Sequence, residues 1–498
     1  MTKQKAISIL MSAILAVGGT VSLASCGNRG GGKTKTIVLD GGGDTANFNS
    51  TPSMTVSPTN PFPYNELEIL VKEWEEKNPG YKVEIRKTSY GGDVSSLTPL
   101  LRTKRAPDII YQNGGVAETH LGKGYYVTYD EYLDKPNPYN DNKPWREVYN
   151  AAELASTAAS DGHFYYMNLE RNGIGLLYNK TFFEENNLSV PETYDEFMAV
   201  QDAINEKGKI PYLTQYPWYN IALEANIFSY LVDDLDVLRK DGKVDCEEMC
   251  RAYWRGEWTP DCEQYKQYID LMCEKIKYEP LGGAGYSPID SFLQGQSVII
   301  ESTGENMRKA YYSESRKFEI GVCGYPYVTD ENGNSIGAHC YRGSAGTATS
   351  WWVTNTAIKN DTVDACMDLM MFLTSPTYNN RMIGKLAGGI PLDPSAQIES
   401  YLQPLVDMYN EDVASGECVA WGAMNSWNSF GLEYNSFFLA EMNALFATRV
   451  DGIVSEENKQ ATWTKIKNYT QTTVEQLILE NAYDTSGWGE CKVPALLG

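Results

Sequence analysis

Glu301 and Glu305 are carboxylates four residues apart, and paired carboxylates are the machinery of glycoside hydrolysis. In such a pair one carboxyl group protonates the leaving oxygen, while the other attacks the sugar or activates a water. No second carboxylate in a recognisable glycosidase motif accompanies these two. A glycosidase therefore stays open as an alternative function, and turnover of aryl glycosides or oligosaccharides would establish it.

Trp218, Trp421 and Trp427 suggest a different chemistry, which is stacking on a sugar ring. Trp218 follows a predicted strand at 210–214, and the other two stand among glycine, serine and asparagine at 421–428. A flat ring removes about 40 to 60 Å² of apolar pyranose surface from water, worth about 1 to 1.5 kcal/mol at ~25 cal/mol per Å². The setting favours a lined groove over a packed core.

Polar side chains near the predicted strand ends complete the candidate set. Amides suit hydroxyl recognition because they offer both hydrogen-bond donors and acceptors. The candidates beside the three tryptophans are Gln112, Asn113, Glu170, Arg171, Asn172, Tyr212, Gln215, Glu305 and Trp351. Trp351 and Trp352 are neighbours on one predicted strand, so one ring should pack inward while the other faces the hinge.

Composition excludes several other classes of site. Three histidines in 498 residues leave little material for a zinc site or a Ser-His-Asp triad. A net charge of −23 argues against nucleic acid, because phosphate contacts require clustered lysine and arginine. The acidic stretch 330–334 lacks the later bidentate glutamate of a calcium loop and predicts a hairpin turn. No cofactor or metal is expected.

The first 25 residues are typical of an export signal. Lys3 and Lys5 precede an apolar stretch at 7–17, and Leu-Ala-Ser-Cys follows at 23–26. The apolar stretch is too short and too broken to span the membrane, and its end resembles a lipobox. Cys26 is thus the predicted diacylated first residue of the mature chain, with 26–35 as a flexible tether outside the cytoplasmic membrane.

Nine cysteines remain after Cys26, and four of them are crowded into residues 246–273. Nine is an odd number, and the spacings match no disulfide framework or metal pattern. Buried or unreactive thiols are the preferred interpretation, although pairing stays open for an exported chain.

Strands and helices alternate along the chain. The pattern predicts strand 36–39, helix 65–77, strand 82–86, a helix to about 104 and strand 106–111, which is a β-α-β-α-β unit. The alternation resumes with strand 173–178, helix 193–206 and strand 210–214, then helices near 221–232 and 261–276 and strands 297–300 and 318–323. Such units form parallel sheets that bind ligands beyond the carboxyl ends of their strands.

Several short sequence motifs follow one another in a characteristic order along the chain. They are Ala-Pro-Asp-Ile at 106–109, Leu-Leu-Tyr-Asn-Lys-Thr at 176–181, Phe-Leu-Gln-Gly at 292–295, Trp-Trp-Val-Thr-Asn at 351–355, Phe-Leu-Thr-Ser-Pro at 372–376 and Gly-Gly-Ile-Pro at 388–391. Together, behind a lipobox, they resemble the family 1 extracellular solute-binding proteins of ABC importers, which include maltodextrin-binding protein. The resemblance spans nearly the whole mature chain.

The resemblance implies an α/β, two-lobe periplasmic-binding-protein-like (type II) fold with hinge strands between the lobes. Lobe 1 would comprise 36–167 and 326–375, and lobe 2 would comprise 168–325 and 376–498. It also implies that Trp421 and Trp427 lie in the loop that offers aromatic platforms, and that Asp108 is structural. One departure is that Glu305 follows Gly304 where the family commonly places an aromatic ring.

The sequence thus predicts a lipid-anchored, monomeric receptor that captures a carbohydrate, preferably an oligosaccharide, and presents it to ABC permease subunits. The open alternatives are the glycosidase and a receptor for a non-sugar ligand such as a polyamine, which Glu305 and the acidic surface would tolerate. A surface adhesin without transport is a third class.

Overall fold

The computed structural model describes residues 34–493, apart from short gaps. The gaps are 43–47, 58–59, 61, 89–93, 114–119, 160, 215–219, 241, 281–286, 330–334, 337–339, 341, 343, 347–348, 387–388, 394, 417, 420–422 and 425. The predicted export signal, Cys26, the tether up to residue 33 and the 330–334 turn therefore lie outside the described residues.

The strands are short, except for one long strand in the middle of the chain. They are β1 (Lys35–Asp40), β2 (Tyr81–Arg86), β3 (Ile109–Asn113), β4 (Arg171–Asn179), β5 (Ile210–Leu213), β6 (Ser297–Thr303), β7 (Ile320–Cys323), β8 (Val328–Thr329), β9 (Ser335–Ile336), β10 (Ser344–Gly346), β11 (Thr349–Val353) and β12 (Gly389–Ile390).

Helices connect the strands and dominate the last hundred residues. They are α1 (Glu66–Lys77), α2 (Val94–Arg102), α3 (Asp130–Leu133), α4 (Ala151–Ser156), α5 (Lys180–Glu185), α6 (Tyr194–Glu206), α7 (Asn220–Phe228), α8 (Val232–Leu235), α9 (Cys246–Arg255), α10 (Glu263–Lys275), α11 (Pro288–Leu293), α12 (Gly304–Tyr311), α13 (Asn355–Asn360), α14 (Val363–Thr374), α15 (Pro376–Lys385), α16 (Gln403–Ser415), α17 (Ser426–Phe446) and α18 (Glu456–Glu480).

The first sheet has four strands in the order β11-β3-β1-β2. β1 pairs in parallel with β2 and β3, as the β-α-β-α-β pattern predicts, and β11 closes the edge in the antiparallel sense. Alternate residues of β1 such as Ile37 and Leu39 are fully buried with Leu67, Leu70 and Trp74 of α1. Those three helix residues share one face because they are spaced three or four apart.

The second sheet has six strands arranged around β4. β10 and β12 pair with residues 171–173 of β4, and β6 and β7 pair with residues 174–179. β5 runs parallel to β6 at the edge. The larger of the two cores that include residues of this sheet draws side chains from α6, α7, α9, α10, α17 and α18.

Local sequence fixes where several helices begin. At α6, Thr193 Oγ1 accepts from Glu196 N at 3.3 Å, and the Glu196 carboxylate accepts from Thr193 N at 3.2 Å. Asp245 and Glu248 form the same reciprocal cap at α9, which ends at Gly256 in the left-handed region with φ +66°. Both caps satisfy backbone donors that the first helical turn leaves free.

The described residues among 325–329 and 344–346, together with Cys340, contact the second sheet or its core, whereas the resemblance assigned 326–375 to the first lobe. Tyr327 N donates to Glu192 O at 2.9 Å, and Tyr325, Val328 and Cys340 are buried in the core of the second sheet. β10 also pairs with β4, and only β11, which starts at Thr349, pairs with the first sheet. The sheet that this segment joins is set by long-range strand pairing, which local periodicity does not reveal.

Among the described residues, no helix combines the length and apolar character needed to cross a bilayer. The longest, α18, carries charged residues throughout its 25 positions.

Candidate ligand-binding site

Three of the ligand-binding candidates fall on segments that the structure leaves undescribed. Gln215, Trp218 and Trp421 lie outside the described residues. Trp427 is placed in the first turn of α17 and Asn113 at the end of β3, in both cases by backbone position alone. Their ligand contacts remain predictions.

At the end of the first sheet, Gln112 is fully buried and so is closed to solvent in this conformation. Beside it the Asp40 carboxylate accepts from Gly42 N at 2.9 Å and from Tyr111 N at 3.2 Å. Burial raises the pKa of Asp40 although these hydrogen bonds oppose the shift. These polar groups organise the ends of β1 and β3.

Trp351 and Trp352 lie on opposite faces of β11, as predicted, but both rings are buried. Trp351 Nε1 donates to Asp40 O at 2.9 Å, and its ring centroid lies 4.9 Å from that of Phe48. Trp352 stacks on Tyr166 with the centroids 4.8 Å apart. Because both faces of the first sheet are covered, Trp351 is a core residue in this structure and has no open face for a sugar.

The three predicted residues at 170–172 have different surroundings. Arg171 forms a buried bidentate ion pair with Glu153, using Nε and Nη2, and its Nη1 donates to Pro391 O at 3.1 Å. Its guanidinium is therefore already occupied by protein groups. Asn172 is half-buried in β4 opposite Ala345 and Gly389.

Glu170 is buried, with 7% of its surface exposed, and its Oε2 atom has no hydrogen-bond partner among the described residues. Burial raises its pKa to about 7. A Cβ atom built on Gly389 would clash with that oxygen, so a larger residue there would displace the Glu170 carboxyl group. Burial raises the pKa values of Tyr64 and Tyr111, and the charge of Glu170 adds to both shifts. The carboxyl group therefore faces residues of both sheets.

A second buried network lies beneath the end of β5. Lys275 Nζ is 3.1 Å from Glu301 Oε1, with side-chain exposures of 1% and 0%, and the Tyr212 hydroxyl donates to the same oxygen. Nearby, Thr214 Oγ1 donates to Glu279 Oε2 at 3.1 Å, and burial raises the pKa of Glu279 to about 7. Tyr212 thus braces β5 from inside, which differs from the expected contact with ligand.

The two carboxylates of the glycosidase hypothesis do not share a site. Glu301 is fully enclosed, whereas Glu305 is about half exposed on α12 and pairs with Lys309 at 2.7 Å. A hydrolytic pair must flank one glycosidic bond from a common cleft. The geometry gives this pair no such arrangement.

Two buried charged residues, Lys275 and Glu224, are not among the residues predicted from the sequence. Lys275 stands seven residues after Tyr268 on the buried face of α10, a spacing that signals an inward lysine. Glu224 of α7 accepts from Ser426 N, the first residue of α17, at 2.9 Å, and burial raises its pKa to about 7. Glu224 therefore ties α7 to α17, the helix that bears Trp427.

Residues 70–412 match the family described as bacterial extracellular solute-binding proteins. The chain belongs to this family. A curated relative is the multiple sugar-binding protein of Streptococcus mutans, 25% identical over 292 residues, or 55% of this chain and 61% of that protein. The match thus spans less than two thirds of the relative's length.

Solved structures share the fold of this solute-binding protein. The apo form of RafE from Streptococcus pneumoniae has a TM-score of 0.60 and 18% identity, covering 90% of this chain and 100% of that one. The cyclic α-maltosyl-1,6-maltose binding protein from Arthrobacter globiformis has a TM-score of 0.57 and 15% identity, covering 88% and 99%. The predicted resemblance and the two-lobe, type II binding-protein fold are both confirmed.

Proposed function

We propose that this protein is the substrate-binding lipoprotein of an ABC importer, which captures a carbohydrate, preferably an oligosaccharide, and delivers it to a membrane permease. The match of residues 70–412 to an extracellular solute-binding family is the observation on which the proposal depends. The names of the relatives support sugars as the ligand class. No covalent chemistry is required.

The two sheets supply the two lobes of this receptor. We place the ligand beyond the carboxyl ends of β1, β3 and β5, where ligands of open α/β sheets bind. We assign β4, β10 and β12 to the hinge side; in support, β10 and β12 pair with β4, whereas β11 pairs with the first sheet. A ligand that touches both lobes would stabilise the closed state because it binds that state preferentially.

We assign direct ligand contact to the tryptophan segments and their amides. Gln215 and Trp218 follow β5, and Asn113 ends β3. Trp421 precedes α17, and Trp427 lies in its first turn. The remaining predicted residues are placed behind this surface as supports, because their side chains are buried or engaged: Gln112, Arg171, Tyr212 and Trp351. Glu170, Asn172 and Glu305 stay candidates for polar contacts.

Isothermal titration of the mature protein against a panel of mono- and oligosaccharides, with spermidine as a separate arm, tests the proposal. We expect a saturable heat of binding with an oligosaccharide, and no hydrolysed sugar in the calorimeter cell after the titration. Heat with spermidine alone would reject the sugar, and release of shorter sugars would reject the binding-protein assignment in favour of a glycosidase.

A further inference from the structure

The β1–α1 loop, residues 41–65, leaves the carboxyl end of β1, the edge of the first sheet at which the ligand is placed. Two of its described residues, Phe48 and Tyr64, are buried in the core of the first sheet. Thr51 N donates to Tyr64 O at 2.9 Å, and Tyr64 N donates to Thr51 Oγ1 at 3.1 Å. The loop therefore belongs to the first lobe.

Helix α12 leaves the corresponding edge of the second sheet. It follows β6 directly, and β6 runs parallel to β5, so α12 starts at the carboxyl ends of both strands. Met307 and Ala310 are fully buried in a core shared with β4 and β6. Arg308 is half-buried and Tyr312, the residue after the helix, is 46% exposed. These two side chains are available for contacts outside the second lobe.

The side chain of Phe62 in the β1–α1 loop contacts both of them. Arg308 Cζ lies 3.6 Å from the centroid of the Phe62 ring, well within the reach of about 6 Å for a cation–π interaction. The Tyr312 ring packs edge-on, with centroids 5.7 Å apart and an interplanar angle of 66°. The Tyr312 hydroxyl donates to Glu399 Oε1 at 2.6 Å, which holds that ring from within the second lobe. A ring of the first lobe thus rests on two side chains of the second.

These contacts add little to either core. Phe62 is half-buried, and it is not part of the core of the first sheet or of the core beneath α12. Both segments that meet here come from the ligand edge of their sheets. The contact therefore spans the two lobes on the side where the ligand is placed.

We propose that Phe62, Arg308 and Tyr312 form a latch that holds the two lobes together, with Phe62 as a positioning residue. This role rests on the proposed function, because it acts on the closure of the receptor. When hinge motion separates the lobes, the ring must leave the guanidinium, so the contact stabilises the closed state alone. A larger closed population raises the apparent affinity for a ligand that the latch does not touch.

Phe62→Ala tests the latch in the ligand-free mature protein. Spin labels on unnatural amino acids at two exposed positions, Glu76 of α1 and Glu457 of α18, report the distance between the lobes by double electron–electron resonance. The natural cysteines would take up thiol-reactive labels, so unnatural amino acids are used. The ratio of short to long distances should fall about three- to tenfold in Phe62→Ala, as expected for the loss of one cation–π contact.

Further variants separate the ring contact from the bulk of the side chain. Phe62→Tyr keeps the ring and should retain the wild-type ratio, whereas Phe62→Leu keeps apolar bulk without a ring and should behave like Phe62→Ala. Arg308→Gln should give the same shift, and the double variant with Phe62→Ala should add little to it. Val56→Ala is the control, because that side chain lies on the same loop and is 70% exposed.

Urea denaturation should give equal stabilities for Phe62→Ala and wild type, which distinguishes a lost latch from a misfolded lobe. A wild-type distance ratio in Phe62→Ala, an equal fall in Val56→Ala, or fully additive shifts for Phe62 and Arg308 would overturn the proposal. The measurement contains no sugar. A failed sugar titration would therefore reject the proposed function, whereas a failed distance measurement would reject the latch alone.

Discussion

Folding buries the carboxyl group of Glu170, and no described residue provides a positive partner for it. Its pKa of about 7 in the folded protein lies above the ordinary value of 4.5, so the folded state holds a proton that the unfolded state releases. The stability that this proton provides is complete below about pH 4.5 and is lost as pH rises through about 7. Glu224, Glu248 and Glu279 show the same direction of shift and share the trend.

Glu170→Gln should therefore match the wild type in stability near pH 5 and exceed it at pH 8 by about 1 to 3 kcal/mol, since an amide stays neutral. Urea denaturation at both pH values measures the difference. Glu305→Gln, which changes an exposed carboxylate on α12, is the control and should leave the pH trend unchanged. A Glu170→Gln curve parallel to that of wild type at all pH values would contradict this assignment.

The second prediction at the residue scale concerns Trp421 and Trp427, the tryptophans expected to stack on a sugar ring. Trp421→Ala and Trp427→Ala should each weaken sugar binding by about tenfold, because each removes about 1 to 1.5 kcal/mol of ring contact. Titration calorimetry with the sugar found in the panel measures this. Trp463→Phe is the control, because Trp463 belongs to α18 and its Nε1 donates to Pro260 O at 2.5 Å. Unchanged affinity in both alanine variants would remove them from the site.

Three elements meet at the Glu153–Arg171 ion pair. Glu153 lies on α4 and Arg171 begins β4, while Tyr409 of α16 donates to Glu153 Oε1 at 2.7 Å. Asn150 Nδ2 in turn donates to the Tyr409 hydroxyl at 2.9 Å. The network fixes the start of β4, the strand around which the second sheet and the hinge side are arranged.

Because the pair is buried, breaking it should be costly. Glu153→Gln and Arg171→Gln are each expected to lower the free energy of unfolding by about 3 to 5 kcal/mol, and the double variant by much less than the sum. The exposed pair Glu84–Arg86 on β2 is the control, and its single variants should change stability little. Additive losses at Glu153 and Arg171 in urea denaturation would show that the two charges act independently.

At the scale of the whole molecule, the proposed role requires an anchored body with a free cleft. Lipid attachment at Cys26 and the tether to residue 35 would hold the receptor near its permease while leaving the lobes free to close. The net charge of −23 disfavours adhesion to anionic lipid. In the proposed role, anchoring would then depend on the acyl chains alone.

Cys26→Ser should accordingly shift the protein from the membrane fraction to the medium or extracellular space. Sugar affinity of the purified body should stay the same, because the change is far from the proposed ligand surface. Cell fractionation and mass spectrometry of the mature N-terminus measure both points. Retention of the serine variant in the membrane, or an unacylated wild-type N-terminus, would contradict lipid anchoring.

Local patterns predict the alternation of strands and helices from β1 to the capped start of α6, because periodicity and capping depend on neighbouring residues. Landmarks spread along the chain also predict the family. Tertiary structure alone decided that Trp351, Tyr212 and Arg171 face inward. Their partners Asp40, Glu301 and Glu153 stand 311, 89 and 18 residues away, and periodicity does not show whether a second face is covered.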